Sequence, residues 1–489
     1  MQEKIDEAQR EFKAILDYII QGAMGREIHE VEEGIYRRLL RLGRILLEVF
    51  VLAVGTGKMG QTVVASKGST YRYAGTCVRR YLSVFGEITI LRAHYVRQGR
   101  PGLFPLDARL NLPERKYSYL LQNWMSSQTV ETSFESASAW VKKHLDLGVA
   151  HRPIQRVVRD CTEAVEQFME SLPAPLPEEE GSVLVHTVDC KGIPMRPADR
   201  NPAAAKTEDK PGEKRMACVA RGYSVDPHER APAVIVESFF KKSGAAVEKE
   251  KESHRPKPRH RRTVASLNRT KSEVFDRSER AVKSRIHEGT KEKAVLMDGE
   301  RVLWNLSSER FSDWAEIIDF SHVMEKLWIA GKLHYGQSSH HAEAYVRERA
   351  LLLLEGEVDL VIEDLVMALQ DGTLSRAKAV ELKSKVVGYF RNNRHRMAYA
   401  DYLSRGLPIA TGVIESTCKS LINRRMEGSG MLWSSDGAEA MLKLRAVFLD
   451  ELWDDFWAFR IQRERKRLYD CYNGTRQDLQ AELVLNRAA

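Results

Sequence analysis

Three carboxylates in this chain stand where their side chains can work together: Asp189 in HTVDCKGIPM, Asp298 in KAVLMDGE and Glu415 in TGVIESTCKSLINRRMEGSGMLW. The β-branched run Ser182–Asp189 reads as a strand, and so does KAVLM, and each runs into an Asp with a Gly close behind. Neighbouring strands that end level would set these two Asp side chains side by side at one sheet edge. Like charges that close repel, so the pair calls for a cation. Magnesium is the fitting ion, because it takes carboxylate oxygens and keeps several waters. Two such ions about 4 Å apart can activate an attacking oxygen and stabilise a leaving one in an in-line phosphoryl transfer. Glu415, near a helix start, is the expected third ligand. Singly, each acid has an ordinary explanation. Asp before Gly is a turn signal, and a Glu in a first helical turn gains at most about 1 kcal/mol from the helix dipole. The order Asp, Asp, then Glu on a helix is what sets the three apart.

The elements that must position these acids can be read around them. Ser182–Asp189, residues 215–220 and residues 233–240 (AVIVESFF) read as three strands in a meander. A basic stretch, HRPKPRHRR (254–262), follows, read as a loop or a DNA contact, and then a helix to about residue 290. KAVLM, another helix and a last strand in EIIDFSHV (316–323) complete an α/β plan with a mixed sheet. Residues 324–404 carry helical periodicity throughout and read as an all-helical insertion. The Pro- and Glu-rich stretch 173–181 reads as a linker ahead of this domain.

Upstream of the linker, residues 3–22 and 26–53 have apolar residues at helical spacing and predict an antiparallel helical hairpin. Residues 77–98 alternate about Phe85-Gly86-Glu87 and predict a short β-hairpin. SFESASAWVKKHL, a Gly-containing turn and RPIQRVVRDCTEAVEQFME follow the helix-turn-helix plan. Arg152, Arg156 and Arg159 share one face of its second helix and are the expected DNA contacts, although any helical hairpin can produce that spacing. The aromatic residues Trp453, Phe456, Trp457 and Phe459 are expected to pack a C-terminal helix against the body.

A length of 489 residues implies two to four domains, and 43% hydrophobic residues argue against disorder. The net charge of +8 (76 Lys and Arg against 68 Asp and Glu) favours a polyanionic partner. The six cysteines, at 77, 161, 190, 218, 418 and 471, include no CxxC pair, which argues against zinc and disulfide frameworks and for a reducing cytoplasm. The most apolar run, residues 45–55, contains Glu48 and is too short to span a bilayer, so no membrane role is expected.

HTVDCKGIPM, AVLMDGE, IIDFSHVMEKLW and the Glu415 segment together resemble the DDE transposases of bacterial insertion sequences, specifically the ISKra group. FGEITILRAHYV, PLDARLNL and the helix-turn-helix extend the resemblance over most of the chain. It implies a ribonuclease-H-like catalytic domain, with Asp189, Asp298 and Glu415 as catalytic ligands of two Mg²⁺ ions, for which Mn²⁺ can substitute. It implies cleavage and joining of transposon ends, with the terminal inverted repeats and the target DNA as double-stranded partners and a homo-oligomer as the working form. A cytoplasmic, nucleoid-associated location goes with that activity. Asp319 and His322 match a DxxH motif of related transposases and are carried over as supports of the site or DNA contacts. Lys419, Arg424 and Arg425, which follow Glu415, are expected to hold phosphates. Two departures from the family pattern, Cys190 after Asp189 and Asn423 before Arg424, leave the three acids untouched. The domain boundaries expected are 1–70 (helical hairpin), 71–172 (β-hairpin and helix-turn-helix), 173–323 (first catalytic part), 324–405 (insertion) and 406–489 (final catalytic helix and C-terminal helices). The alternative function is an inactive or domesticated relative that only binds specific DNA sequences.

Overall fold

The computed structural model describes the chain except for residues 24, 66–67, 201–212, 241–255, 338, 371, 429 and 471–489. It forms two compact units, Met1–Phe168 together with the C-terminal stretch from Trp453, and Met169–Leu452.

In the first unit the expected helical hairpin is α1 (Gln2–Gly22) and α2 (Ile28–Val54). The expected short β-hairpin is instead the middle of a four-stranded antiparallel sheet. Its strands, in order, are β1 (Thr62–Val64), β2 (Thr70–Ser83), β3 (Gly86–Arg97) and β4 (Arg100–Leu103). The hairpin turns one residue earlier than the alternation implied, because Ser83 pairs with Gly86 and the Ser83 hydroxyl donates back to the Gly86 carbonyl at 2.9 Å. Three helices follow: α3 (Pro105–Leu110), α4 (Tyr119–Glu131) and α5 (Phe134–Leu145). Asp146, left-handed at φ 53°, ends α5 and opens the turn into α6 (His151–Thr162), as the helix-turn-helix pattern requires. The C-terminal helix Trp453–Tyr469 packs its aromatic side chains here, with Phe456 and Phe459 5.5 and 5.6 Å from Phe168.

The second unit is built on a five-stranded mixed sheet in the order β7-β6-β5-β8-β9. The strands are β5 (Val183–Pro194), β6 (Lys214–Val225), β7 (Arg259–Ser266), β8 (Glu292–Met297) and β9 (Ala315–Ile318). β5, β6 and β7 form an antiparallel meander, and β8 and β9 run parallel to β5. Val183–Val188 and Ala294–Met297 are buried throughout, as parallel strands covered on both faces must be. The mixed α/β plan is therefore present, with two corrections to its elements.

Residues 233–240 are not a strand. Pro232 opens a helix, α7 (Pro232–Phe240), since proline fits a first helical turn and its β-branched followers bury only Ile235 and Val236. The third strand lies in the basic stretch instead. β7 is an edge strand, where charged side chains protect exposed backbone from pairing with another chain. Its arginines are engaged: Arg259 pairs with Asp226 at 2.6 Å and Arg261 with Glu451. Residues 254–255 of the stretch lie outside the described residues.

The stretch read as a linker is also partly structural. Glu180 is buried and accepts from Arg285 Nε at 2.7 Å and Nη2 at 2.6 Å, an ion pair with both side chains 2% exposed. Residues 324–404 are helical, with no strand among the described residues, and Leu353, Val361 and Phe390 belong to the same core as the sheet residues Val185 and Leu296.

Candidate metal centre

The last rung of the parallel ladder between β5 and β8 is Val188 with Met297, so Asp189 and Asp298 follow it at the same level. Asp189 is not a strand-end residue, because β5 runs on to Pro194 against β6. It stands clear on the other side because β8 stops at Met297. The Asp189 carboxyl is pushed above the usual carboxylate range, chiefly by burial, and the charge of Asp298 acts in the same direction. The Cys190 amide, donating to Oδ1 at 2.6 Å, the Cys418 thiol and the charge of Lys191 oppose the shift.

Asp298 turns the chain. Its Oδ1 accepts from the Glu300 amide at 3.0 Å, and its carbonyl accepts from Trp304 Nε1 at 2.6 Å. The next residue must be Gly299, since a Cβ there would lie 2.6 Å from Cε2 of Tyr389. That ring closes over the turn, and its hydroxyl is buried with no hydrogen-bond partner. Burial raises the Tyr389 phenol, and the charges of Asp319, Asp298 and Glu325 raise it further.

Glu415 lies on the helix Gly412–Cys418, which packs on β5 and continues as a π-helical turn, Lys419–Asn423, into Arg424–Met426. The Thr411 hydroxyl donates to Glu415 Oε1 at 2.8 Å. Cys418, one turn on, is the contact between this helix and Asp189. Burial keeps its thiol protonated, and the neighbouring carboxylate adds to that. The helix is held from below by Arg221 on β6, which donates to Thr417 Oγ1 at 2.6 Å, to Asp450 Oδ1 at 2.6 Å and to Thr263 Oγ1 at 2.8 Å.

EIIDFSHV is strand only to Ile318. Asp319 caps the helix Phe320–Tyr335, as its side chain accepts from the His322 amide at 3.1 Å. The same oxygen meets His322 Nδ1 at 2.6 Å, while the other accepts from the Thr411 amide at 2.8 Å. Asp319, fully buried, thus aims the His322 ring and fixes the start of the Glu415 helix. The bond to Asp319 raises His322 to about 9 against the opposing effect of burial, and the charges of Asp319, Glu325 and Asp298 add to it. The imidazole is therefore protonated at neutral pH.

Among the described residues, one atom each from Asp319, His322 and Glu415 come within 4.8 Å of one another. Asp189 and Asp298 are outside that tight group and are linked to it by charge and through Cys418 and Tyr389. The available donors are hard carboxylate oxygens, with the His322 imidazolium beside them, and an orphaned phenol hydroxyl faces the same acids. This set fits a divalent cation of the magnesium or manganese kind. Both oxygens of Asp319 are already bonded to protein donors, so Asp319 serves as an orienting group, and the carboxylates of Asp189, Asp298 and Glu415 are left to ligate.

The remaining expected site residues divide. Arg152, Arg156 and Arg159 are all exposed along α6, and Lys419 and Arg424 are exposed after Glu415. Arg425 is not: it is 2% exposed, with its guanidinium 5.1 Å from the Trp433 ring, and it cannot offer a phosphate-binding surface. Arg424, next to it on the same helix, stays exposed. Sequence reasoning missed Tyr389 and Cys418. Nothing local in the sequence marked either side chain.

No protein-family model matches the chain, and no curated protein matches it. A solved structure, the Drosophila P element transposase strand transfer complex, aligns with 68% of this chain and 80% of its own at 12% identity and a TM-score of 0.25. At that TM-score the likeness carries no argument. No described helix is long and apolar enough to cross a membrane.

Proposed function

We propose that the chain is a DNA transposase of the ISKra group that cuts and joins transposon-end DNA on a ribonuclease-H-like domain. The observation that supports this most is the level placement of Asp189 and Asp298 on adjacent parallel strands, with the Glu415 helix packed on the same central strand. Asp189, Asp298 and Glu415 hold two divalent cations, Mg²⁺ or Mn²⁺, in this reading. Bound there, the ions supply charge stabilisation to the attacking and leaving oxygens of an in-line phosphoryl transfer.

The chain's own groups do the rest. Asp319 holds the first turn of the Glu415 helix and the His322 ring in place. His322, as an imidazolium, offsets the negative charge of the acids beside it. Tyr389 closes the turn after Asp298 and limits water at that edge. Lys419 and Arg424 hold the DNA backbone, which sets affinity without reading sequence, while Arg152, Arg156 and Arg159 engage duplex DNA from α6. A homo-oligomer that pairs two transposon ends and a cytoplasmic, nucleoid-associated location belong to the same reading, as do the domain limits expected from the sequence.

Strand-cleavage and strand-transfer assays on matched terminal repeats test it. Asp189→Ala and Glu415→Ala are expected to abolish both steps in Mg²⁺ and in Mn²⁺. Undiminished cleavage by either variant overturns the assignment. Sequence-specific binding with no cleavage by the wild type under any metal condition gives the binding-only alternative.

A further inference from the structure

A cleft of about 630 Å³ in the first unit is lined by α6, the segment before α4 and the C-terminal helix. Arg460, 4% exposed, lies in its wall. Nη2 donates to the neutral Gln122 Oε1 at 3.1 Å, while Nε and Nη1 have no hydrogen-bond partner. Its guanidinium rests 5.0 Å from the Trp457 ring and makes no ion pair among the described residues. The acids of the cleft are mostly committed to other arginines: Asp160 bonds Arg115 at 3.0 Å and Glu464 bonds Arg467 at 2.6 Å. Glu163 stands exposed at the rim. Arg156, the middle arginine of α6, is exposed, lines the same cleft and makes no hydrogen bond or ion pair among the described residues. The Tyr119 hydroxyl is buried in the lining without a partner.

A buried guanidinium without a counter-charge is destabilising, and the missing partner is an anion. Two arginines and a phenol hydroxyl are all donors, and guanidinium geometry matches tetrahedral oxyanions. We propose that this cleft is a phosphate-binding site, for a phosphate carried on a nucleic-acid backbone or free in solution. Arg156 is then a cleft ligand rather than one of three equivalent groups on a recognition helix. The inference needs no transposase activity, so it stands or falls apart from the metal centre.

Thermal unfolding of the full chain in inorganic phosphate, against chloride at equal ionic strength, gives one readout. Duplex DNA affinity as a function of salt gives the other. A free-phosphate site raises the wild-type Tm in phosphate, and both Arg460→Met and the surface variant Arg156→Ala lose that rise, with the DNA binding of Arg460→Met unchanged. A backbone site shows instead a fall of about one in the slope of log affinity against log salt in each variant. In either case Arg460→Met raises the Tm in chloride, because it removes an uncompensated buried charge. A phosphate effect kept by both variants overturns the proposal. So does its absence from the wild type when the variants leave the DNA salt slope unchanged.

Discussion

His186, on β5 three residues before Asp189, is fully buried and carries a pH liability that can be worked out from its surroundings. The Ser278 hydroxyl donates to the Phe275 carbonyl at 3.0 Å, so at 2.9 Å His186 Nε2 must be the donor to Ser278 Oγ. Nδ1 then carries no proton, and it has no partner. The ring is stacked 4.6 Å from Phe311 and lies edge-on 5.5 Å from Phe275, and no charged group opposes the effect of burial on it. Burial pushes the imidazole from its ordinary 6.5 down to about 3. Above pH 6.5 the ring is neutral folded or unfolded and costs nothing. Below it the unfolded chain takes a proton that the folded chain refuses, so stability falls until about pH 3. Each pH unit in that window costs about 1.4 kcal/mol, so lowering the pH from 7 to 5 removes about 2 kcal/mol through this one group. His186→Leu keeps the volume, leaves no orphan donor on Ser278 and should cost less than about 1.5 kcal/mol at pH 7. Urea unfolding followed by tryptophan fluorescence at pH 7 and pH 5 measures the difference. Trp314, 4.9 Å from Phe311, reports on this part of the core. The other titrating groups cancel between the two proteins, and the variant should lose about 2 kcal/mol less than the wild type. Equal losses within about 0.5 kcal/mol would refute the neutral, unpaired Nδ1.

Three further outcomes follow from the second unit. Asp450→Ala leaves Arg221, with its side chain 6% exposed, buried without its carboxylate and should cost about 3–5 kcal/mol. Thermal unfolding of Asp450→Ala and of the paired replacement Arg221→Met with Asp450→Leu checks this, and the pair should recover much of the loss. Mg²⁺ or Mn²⁺ should raise the wild-type Tm, whereas Asp189→Asn and Asp298→Asn should lose the metal effect and keep a normal metal-free transition. Glu427→Ala, which removes only a half-exposed pair with Lys214 at 2.6 Å, should keep both the metal effect and cleavage.

Much of the candidate site lay in local patterns. A β-branched run marks β5 and a short apolar run marks β8, as strands buried on both faces require, and Asp298 stands out because a turn residue follows the run. The segments around residues 233–240 and 254–262 misled for a related reason. A short apolar run does not declare its period, and a basic run gives no sign of the acids it will pair with. Pro232 was the overlooked local clue to α7.

By itself, the sequence determined the element types near the acids, the helical hairpins and the exposure of Arg152, Arg156 and Arg159. These depend on periodicity and turn chemistry within a few residues. Tertiary structure alone decided which groups meet. Asp319 reaches the Thr411 amide across 92 positions because β9 ends beside β8, and the Tyr389 ring reaches Gly299 across a comparable separation. Arg425 turned inward while Arg424 faced out, although the two are neighbours on one helix. Sheet register and helix packing set those encounters, and neither is written in a local pattern. A strand's register follows from its partner, and a helix face follows from what covers it.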